Sequence, residues 1–436
     1  AVERSAGGAQ ALRAIFSLPA LTGSWKDPGG GVYQMPLWEF PVHWDRVCRP
    51  DLIPEGTRVV NVLKLGEVLT GEAGIEPGIH ALMVYNANPV SNSTETAKIK
   101  RGLAREDLFT VVSEHFVTDT ARYADILLPA TMAAEHDDMM FSWGHFFFTL
   151  NQKAIEPPGE TVSNAELFRR LAKTFGFTEP QFSMSEAELM EWYLDWESPK
   201  LGGISMDHFR QHGWYRLNVG DPETRTPHAE GNFPTPSGKC EFYSEAAVTG
   251  GNFVAPPFRQ MYEQFQGGEP LDPLPGYVPA NERPETNPDQ AERYPLNIVS
   301  PKSHGFLNSQ YANEAHKIRA QGEQTILINP ADAASREIGE GALVRVFNDR
   351  GAFHGQARVT DDVPQGLVIA SREGDPYNAI DPAFVRDRGG GEWLSFGSFW
   401  GGIQLVLLDP QSGKPAAGAT PQMIALARRE LSWEKF

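Results

Sequence analysis

The chain predicts an α/β fold in which a parallel, doubly wound sheet is followed by a compact β-barrel, and three observations lead there. The first is the run VVSEHFVTDTARYADILLP from Val111 to Pro129. It reads as a buried strand at Val111 and Val112, a loop bearing Glu114, a short helical turn capped by Thr118, and a second apolar strand from Ile126 to Leu128 that Pro129 stops. Alternation of strand, helix and strand builds a parallel sheet whose ligands sit beyond the carboxyl ends of its strands. The second is HALMVYNANP from His80 to Pro89, an apolar strand that ends abruptly in the turn formers Asn86, Asn88 and Pro89. The third is a change of pattern beyond residue 294 to the short strands LNIVS, TILIN, ALVRVF and AFHGQARV with one short helix between them, the spacing of a compact barrel.

Each element has a local reason. An apolar helix over Ala9 to Leu21 is bounded by Gly7-Gly8 and Thr22-Gly23, and Gly29 to Gly31 makes a tight turn. That turn lacks the strand before and the helix after that a dinucleotide fingerprint requires. Thr94 to Ala104 supplies a crossover helix between the two sheet strands. A helix from Ala165 to Phe175 starts at Ser163 and Glu166, spaced as a capping box, and stops at Gly176; Ser185 and Glu188 repeat the box before Leu189, Trp192 and Tyr193. Residues 266–293 are rich in Pro, Gly and acidic side chains without apolar periodicity, which reads as a linker between a domain at 1–265 and a barrel domain at 294–436. In that second domain Asn329 caps a helix with Pro330 at its first position, and ALVRVF and AFHGQARV form a hairpin across Asn348 to Gly351.

Composition bounds the function. A chain of 436 residues with 41% hydrophobic content buries large cores, and its formal charge of −18 excludes nucleic acid as a partner, since phosphate contacts need a basic surface. Two cysteines, Cys48 and Cys240, exclude a disulfide scaffold and a Cys-rich iron-sulfur site within these residues; Cys240, in the strand-like KCEFY, reads as a buried inert thiol. No segment approaches the ~20 apolar residues of a membrane span. The chain opens AVERSAGG without methionine and reads as a piece of a longer polypeptide. His208 and His212 share zinc-like spacing, but Phe209 follows His208 where a zinc protease motif has Glu, so they read as a solvated helix end. Consecutive residues such as Glu135, His136, Asp137 and Asp138 cannot all converge on one cation. SPKSHGFLNS, from Ser300, gathers hydroxyl, ammonium, imidazole and amide groups that suit phosphates or a polar ring, though spacing alone also fits an ordinary polar loop.

Three motifs in order, the NANP turn, the E-x-F-x-T-x-T-A-x-x-A-D-x-x-L-P run from Glu114, and TPSGK at Thr235 to Lys239, resemble the molybdopterin oxidoreductases of the dimethyl sulfoxide reductase family. The resemblance extends to about Ala370 and corresponds to the C-terminal half or so of a typical member. It implies a six-stranded-type barrel that clamps a pterin dinucleotide, and molybdenum bis(molybdopterin guanine dinucleotide) as cofactor. Oxygen-atom transfer or dehydrogenation of a small-molecule substrate would follow, with an electron-transfer subunit as partner; the compartment is read as the cytoplasm, with the periplasm left open. The metal ligand, and a [4Fe-4S] cluster where one exists, would lie in the N-terminal half. By position it carries over Arg4, Asn86, Asn88, Pro89, Glu114, Thr118, Thr120, Glu135, Ser300, Lys302, His304 and Asn308 as cofactor contacts, with Glu135 an acceptor in the site wall. Beyond Ala370 the sequence departs, with Gln404 near the place of the usual Asn and Leu407 in place of the usual Thr. A second reading keeps the fold as a non-catalytic binding module, and a third makes it a hydratase or transhydroxylase relative.

Overall fold

A computed structural model describes residues 7–33, 36–93, 95–248, 271–279, 285–299, 301, 309–322, 324–348, 352–372 and 402–407. The chain divides into two compact units, one of Ala1–Ala11, Val60–Leu127 and Tyr277–Phe436, the other of Leu12–Val59 and Leu128–Gly276.

In the first unit the predicted sheet is present, as β1 (Ala81–Tyr85), β2 (Phe109–Glu114) and β3 (Ile126–Pro129) in that spatial order. β1 and β2 run parallel, with Ala81 beside Phe109, Met83 beside Val111 and Tyr85 beside Ser113. This register places Leu82, Val84, Thr110 and Val112 on one face. Helices Leu65–Thr70 and Thr96–Leu103 cover that face, burying Leu69, Ile99 and Leu103 with Leu82 packed against them. Each fully buried side chain of this kind contributes about 1.5–3 kcal/mol relative to exposure. The two helices approach through glycines: a Cβ on Gly102 would meet the Leu69 side chain and lie 3.1 Å from its carbonyl carbon, and one on Gly66 would lie 2.8 Å from Lys98 Cβ.

Three details differ from the sequence reading. The crossover helix begins at Thr96 because Glu95 takes a left-handed conformation (φ 55°) ahead of it. Glu114 is the last residue of β2 rather than part of the loop. Ile126 and Leu127 of β3 are 44% and 40% exposed, so this strand is not buried as its apolar run suggested.

The second unit holds an antiparallel sheet of β4 (Asp138–Phe141), β5 (Phe147–Asn151) and β6 (Trp214–Arg216), which the sequence reading missed. Its inner face packs Phe148 against Phe40 and Phe209, all buried. Helices Asn164–Phe175 and Glu186–Tyr193 start where the sequence places them. At Ser185 both bonds of the capping box form. At Ser163 only half does: its hydroxyl accepts from Glu166 N, while the Glu166 carboxylate turns to Arg169 and Arg170 at 2.9 and 2.7 Å. KCEFY is not a strand. Thr235 Oγ1 donates to the Lys239 carbonyl and Glu241 accepts from Ser237 N, and these local bonds hold TPSGK as a turn instead of a ladder partner. Cys240 there is only half-buried, its thiol pKa pushed up by what burial it has. The Arg13 guanidinium reaches far along the chain to the carbonyls of Phe242, Asp272 and Pro273.

Back in the first unit, a mixed sheet curls through β7 (Leu296–Val299), β8 (Gln324–Ile328), β9 (Leu343–Phe347), β10 (Ala352–Val359), β11 (Leu367–Arg372) and β12 (Gly402–Leu407). Its pairing order is β10-β8-β11-β7-β12-β9, and β9 and β10 form the predicted hairpin. Strands β11 and β12 lie in a stretch where no strand was predicted. Ile298, Ile326, Val344, Phe353 and Val368 fill the interior. Asn329 caps helix Pro330–Ala334 through Ala331 N, as its sequence requires. Within the stretch read as linker, Asn287 caps a helix over Pro288–Arg293, its side chain accepting from Gln290 N.

Candidate cofactor-binding site

The carboxyl ends of β1 and β2 carry most of the candidate residues the structure describes. β1 stops at Asn86, whose left-handed backbone (φ 51°) turns the chain sharply and leaves the residue exposed. Asparagine tolerates that conformation better than most side chains. Asn88 follows, 5% exposed, and then buried Pro89 opens the short helix Pro89–Asn92. Beyond β2 the chain passes Phe116 and Val117 to Thr118 and the turn Ala121–Tyr123, then returns to the sheet through Asp125, whose carboxylate accepts from Thr110 N at 2.6 Å.

These two strand ends are joined by side-chain hydrogen bonds. Thr120 Oγ1 donates to Asn88 Oδ1 at 2.7 Å, and the Thr120 backbone N–H reaches the same oxygen at 3.3 Å. Thr120 Oγ1 in turn accepts from Val90 N at 3.1 Å. Alongside, Ser91 donates to Asp119 at 2.9 Å. Thr118, 5% exposed, caps the turn by accepting from Ala121 N. Asn88, Thr118 and Thr120 therefore lie together, and the hydrogen bonds of Asn88 and Thr120 hold the two loops to each other. Asp119 and Ser91 belong to the same junction and were missed, because nothing in their spacing marks a bond across 28 residues.

Glu114 lies half-buried at the end of β2, one carboxylate oxygen accepting from His115 N. Glu135, in the other unit, is 8% exposed, and its Oε2 accepts from Met132 N at 2.9 Å in a local cap. Around it Asn151 donates to the carbonyls of Ala133 and His136, so the acidic stretch is a tied loop. Arg4, Ser300, Lys302, His304 and Asn308 lie outside the described residues. The imidazoles of His208 and His212 pack against each other with centroids 4.5 Å apart at the end of helix Met206–His212. Among the described residues, no group of three or more His, Cys, Asp or Glu is placed to hold a metal ion.

Comparison with known proteins gives this junction its context. The family profile "Molybdopterin oxidoreductase" matches residues 1–174, and "Molydopterin dinucleotide binding domain" matches residues 296–383. The first contains both strand ends, and the second begins with β7. The chain belongs to the molybdopterin oxidoreductase family. Among curated relatives, the probable oxidoreductase YoaE of Bacillus subtilis is 35% identical over 88% of this chain and 53% of its own length. Dimethyl sulfoxide reductase DmsA of Escherichia coli is 29% identical over 89% of this chain and 49% of its own. The chain thus spans about half the length of the curated relatives it matches. Its fold also resembles that of acetylene hydratase from Pelobacter acetylenicus, with a TM-score of 0.57, 21% identity, and coverage of 78% of this chain and 46% of the other. No helix among the described residues is long and apolar enough to cross a membrane.

Proposed function

We propose that this chain builds part of the wall of a site for molybdenum bis(molybdopterin guanine dinucleotide) in an oxidoreductase. The observation that carries the reading is the hydrogen-bonded junction of Asn88 and Thr120 at the carboxyl ends of two parallel strands, where ligands of open α/β sheets collect. The groups there suit this cofactor. Amide, hydroxyl and carboxylate side chains hydrogen-bond the edges of a pterin or guanine ring, and a carboxylate such as Glu114 accepts from ring N–H donors. Asn88, Pro89, Thr118 and Thr120 fix the loops, and Asn86 and Glu114 present polar groups from them. Glu135 supplies an acceptor in the wall. Arg4, Ser300, Lys302, His304 and Asn308 complete the set by their place in the family motifs, with Lys302 holding an anionic phosphate. The domains would be a doubly wound core at 1–265 and a six-stranded barrel at 294–436 that binds the dinucleotide.

When bound, the cofactor supplies two-electron chemistry at molybdenum, coupled to oxygen-atom transfer or dehydrogenation of a small molecule. The chain's residues orient it and keep water from it. The metal ligand and any [4Fe-4S] cluster would come from sequence beyond these residues, electrons would pass through a separate subunit, and the compartment would be the cytoplasm. Similarity to a dimethyl sulfoxide reductase favours this redox reading over hydration, since the likeness to acetylene hydratase is one of fold alone.

The test is cofactor content in the complete protein. Asn86→Gly preserves the left-handed turn while removing the amide, and Glu114→Gln removes the charge. Either should lower pterin and molybdenum content severalfold with little change in melting temperature. Full loading in both variants would overturn the assignment.

A further inference from the structure

In the second unit, aromatic rings dock the glycine turn at Gly29 to Gly31 on the loop that leaves β6. A Cβ on Gly31 (φ 97°) would lie 2.6 Å from the Trp25 indole, so the turn closes tightly on that ring. Trp25 meets His228 and Phe233 edge-on, with centroids 5.1 and 5.7 Å away, and His228 stacks on Phe233 at 4.4 Å. This docking brings Tyr33, just past the turn, and Arg225, in the loop, to one ring, that of Phe146 at the start of β5. The Tyr33 and Phe146 centroids are 5.9 Å apart, and Arg225 Cζ lies 5.1 Å from the Phe146 centroid. Tyr33 is 52% exposed, so the place is open to solvent. Burial pushes its hydroxyl pKa up, Arg225 opposes that and Glu39 adds to it, and the hydroxyl remains a donor at neutral pH.

Arg225 is half-buried, yet among the described residues it makes no hydrogen bond and no ion pair, only its contact with Phe146. With 56 acidic side chains against 38 basic ones, a carboxylate partner would be the ordinary outcome. The nearby acids are turned elsewhere: Glu39 pairs with Lys200 at 2.8 Å, and Asp221 accepts from Glu223 N at 2.9 Å within its own loop. Arg216 closes on the same loop by donating to the Gly220 carbonyl at 3.0 Å, so a second cation adds to the field without a carboxylate of its own among the described residues. Partly buried guanidinium donors are costly to leave unmet, which favours an acceptor from outside.

We infer that Arg225 and Tyr33 form a binding site for the carboxylate group of a small soluble molecule, resting on the Phe146 ring. A guanidinium edge matches both oxygens of a carboxylate in one plane, and the phenol O–H supplies a further donor. The face of Phe146 covers one side of the guanidinium and leaves its edge to the ligand. The inference does not depend on the cofactor reading.

The test is titration of the complete protein with acetate and succinate at constant ionic strength, read by broadening of the ligand's NMR lines. Saturable binding is expected with a dissociation constant of about 1–10 mM, within reach of so few atoms. Arg225→Met keeps an apolar stem on Phe146 and should weaken acetate at least tenfold. Arg225→Lys keeps the charge but should weaken it nearly as much, because a point charge does not hold two oxygens in a plane. Tyr33→Phe keeps the ring, should cost about threefold through the lost donor, and carries the test if the Arg225 variants fail to fold. Absence of saturation below about 50 mM in the native protein would overturn the proposal, since a carboxylate of the polypeptide itself would then hold Arg225. Unchanged binding in Arg225→Met or in Tyr33→Phe would overturn it as well, as would inorganic phosphate binding as tightly as acetate. Pterin content of the same sample bears on the cofactor reading and not on this one.

Discussion

Thr120→Val removes one oxygen from the junction of the strand ends and keeps the side chain's shape. In the native structure that hydroxyl donates to Asn88 Oδ1 at 2.7 Å and accepts from Val90 N at 3.1 Å, with Thr120 0% exposed and Asn88 5%. After the change the Asn88 oxygen keeps only the 3.3 Å bond from Thr120 N, and the Val90 N–H loses this acceptor in a buried setting. An orphaned buried donor costs about 1–3 kcal/mol, and the lost neutral bond adds roughly 0.5–1.5 kcal/mol. A total of roughly 2–4 kcal/mol is therefore expected. At roughly 2–4 °C per kcal/mol for a unit of this size, the melting temperature should fall by about 5–15 °C. Thr120→Ser keeps the hydroxyl and loses a methyl, which costs about 0.8 kcal/mol by transfer alone. Thermal unfolding of the two variants side by side decides the matter, and a cycle with Asn88→Ala measures the coupling directly. If Val and Ser prove equally destabilising to within about 0.5 kcal/mol, the hydroxyl is not holding the loops and the account of the junction is wrong.

Gly102→Ala should destabilise by about 1–3 kcal/mol despite alanine's better helix propensity, because its Cβ would press on Leu69; stability equal to or above wild type in denaturant melts would show that the helices separate freely. Arg169 joins Glu166 and Glu186 and donates to the Met184 carbonyl. Hydrogen bonds from Arg170 and Arg169 hold the Glu166 carboxyl below its usual range, and although burial pushes Glu186 up, its own backbone N–H, Ser163 and Arg169 outweigh that and lower it. Groups with depressed folded pKa values stabilise above the ordinary carboxylate range and lose that contribution as pH falls through the folded values. Arg169→Met should therefore cost about 1 kcal/mol at neutral pH and less in acid, and a cost that does not change between pH 7 and pH 3 in paired melts would contradict the ion-pair account. Lys302→Ala, if the loop holds an anionic group, should weaken cofactor retention about ten- to a hundredfold with stability held within roughly 0.5 kcal/mol, as read by pterin release on dilution. Unchanged release would make the loop an ordinary surface.

What the sequence revealed and what it hid follow the range of the interactions involved. Turn formers and caps act over a few residues, so the stop at Asn86, the caps at Ser163, Ser185 and Asn329, and the hairpin of β9 and β10 were all legible. The alternation around Val111 to Pro129 revealed the parallel sheet, and the motifs pointed to Asn88, Thr118 and Thr120 as neighbours. Their hydrogen bonds were not legible, since the spacing of Asn88 and Thr120 gives no sign that one oxygen serves both loops. Apolar runs also misled. Ile126 and Leu127 read as core because composition cannot show that a strand's cover is absent among the described residues. The sheet of β4 to β6 was hidden for another reason, its third strand arriving from Trp214, more than sixty residues after β5 ends at Asn151.

The grip of Arg13 on Phe242, Asp272 and Pro273 bears on how the protein is made. Its carbonyl partners lie 229 to 260 residues downstream. At roughly 5–20 residues per second, about 13–52 s pass between synthesis of Arg13 and synthesis of the last of them. Both units are also assembled from separated stretches, so neither can close while the ribosome is still in the first half of the chain. During that interval the helix Gly8–Thr22, with Leu18 and Leu21 at 55% and 69% exposure even in the folded state, has no downstream carbonyls to hold it. The nascent chain thus carries an apolar helix ahead of its anchors, and translation speed and chaperone supply become determinants of yield that no native-state stability measurement would reveal.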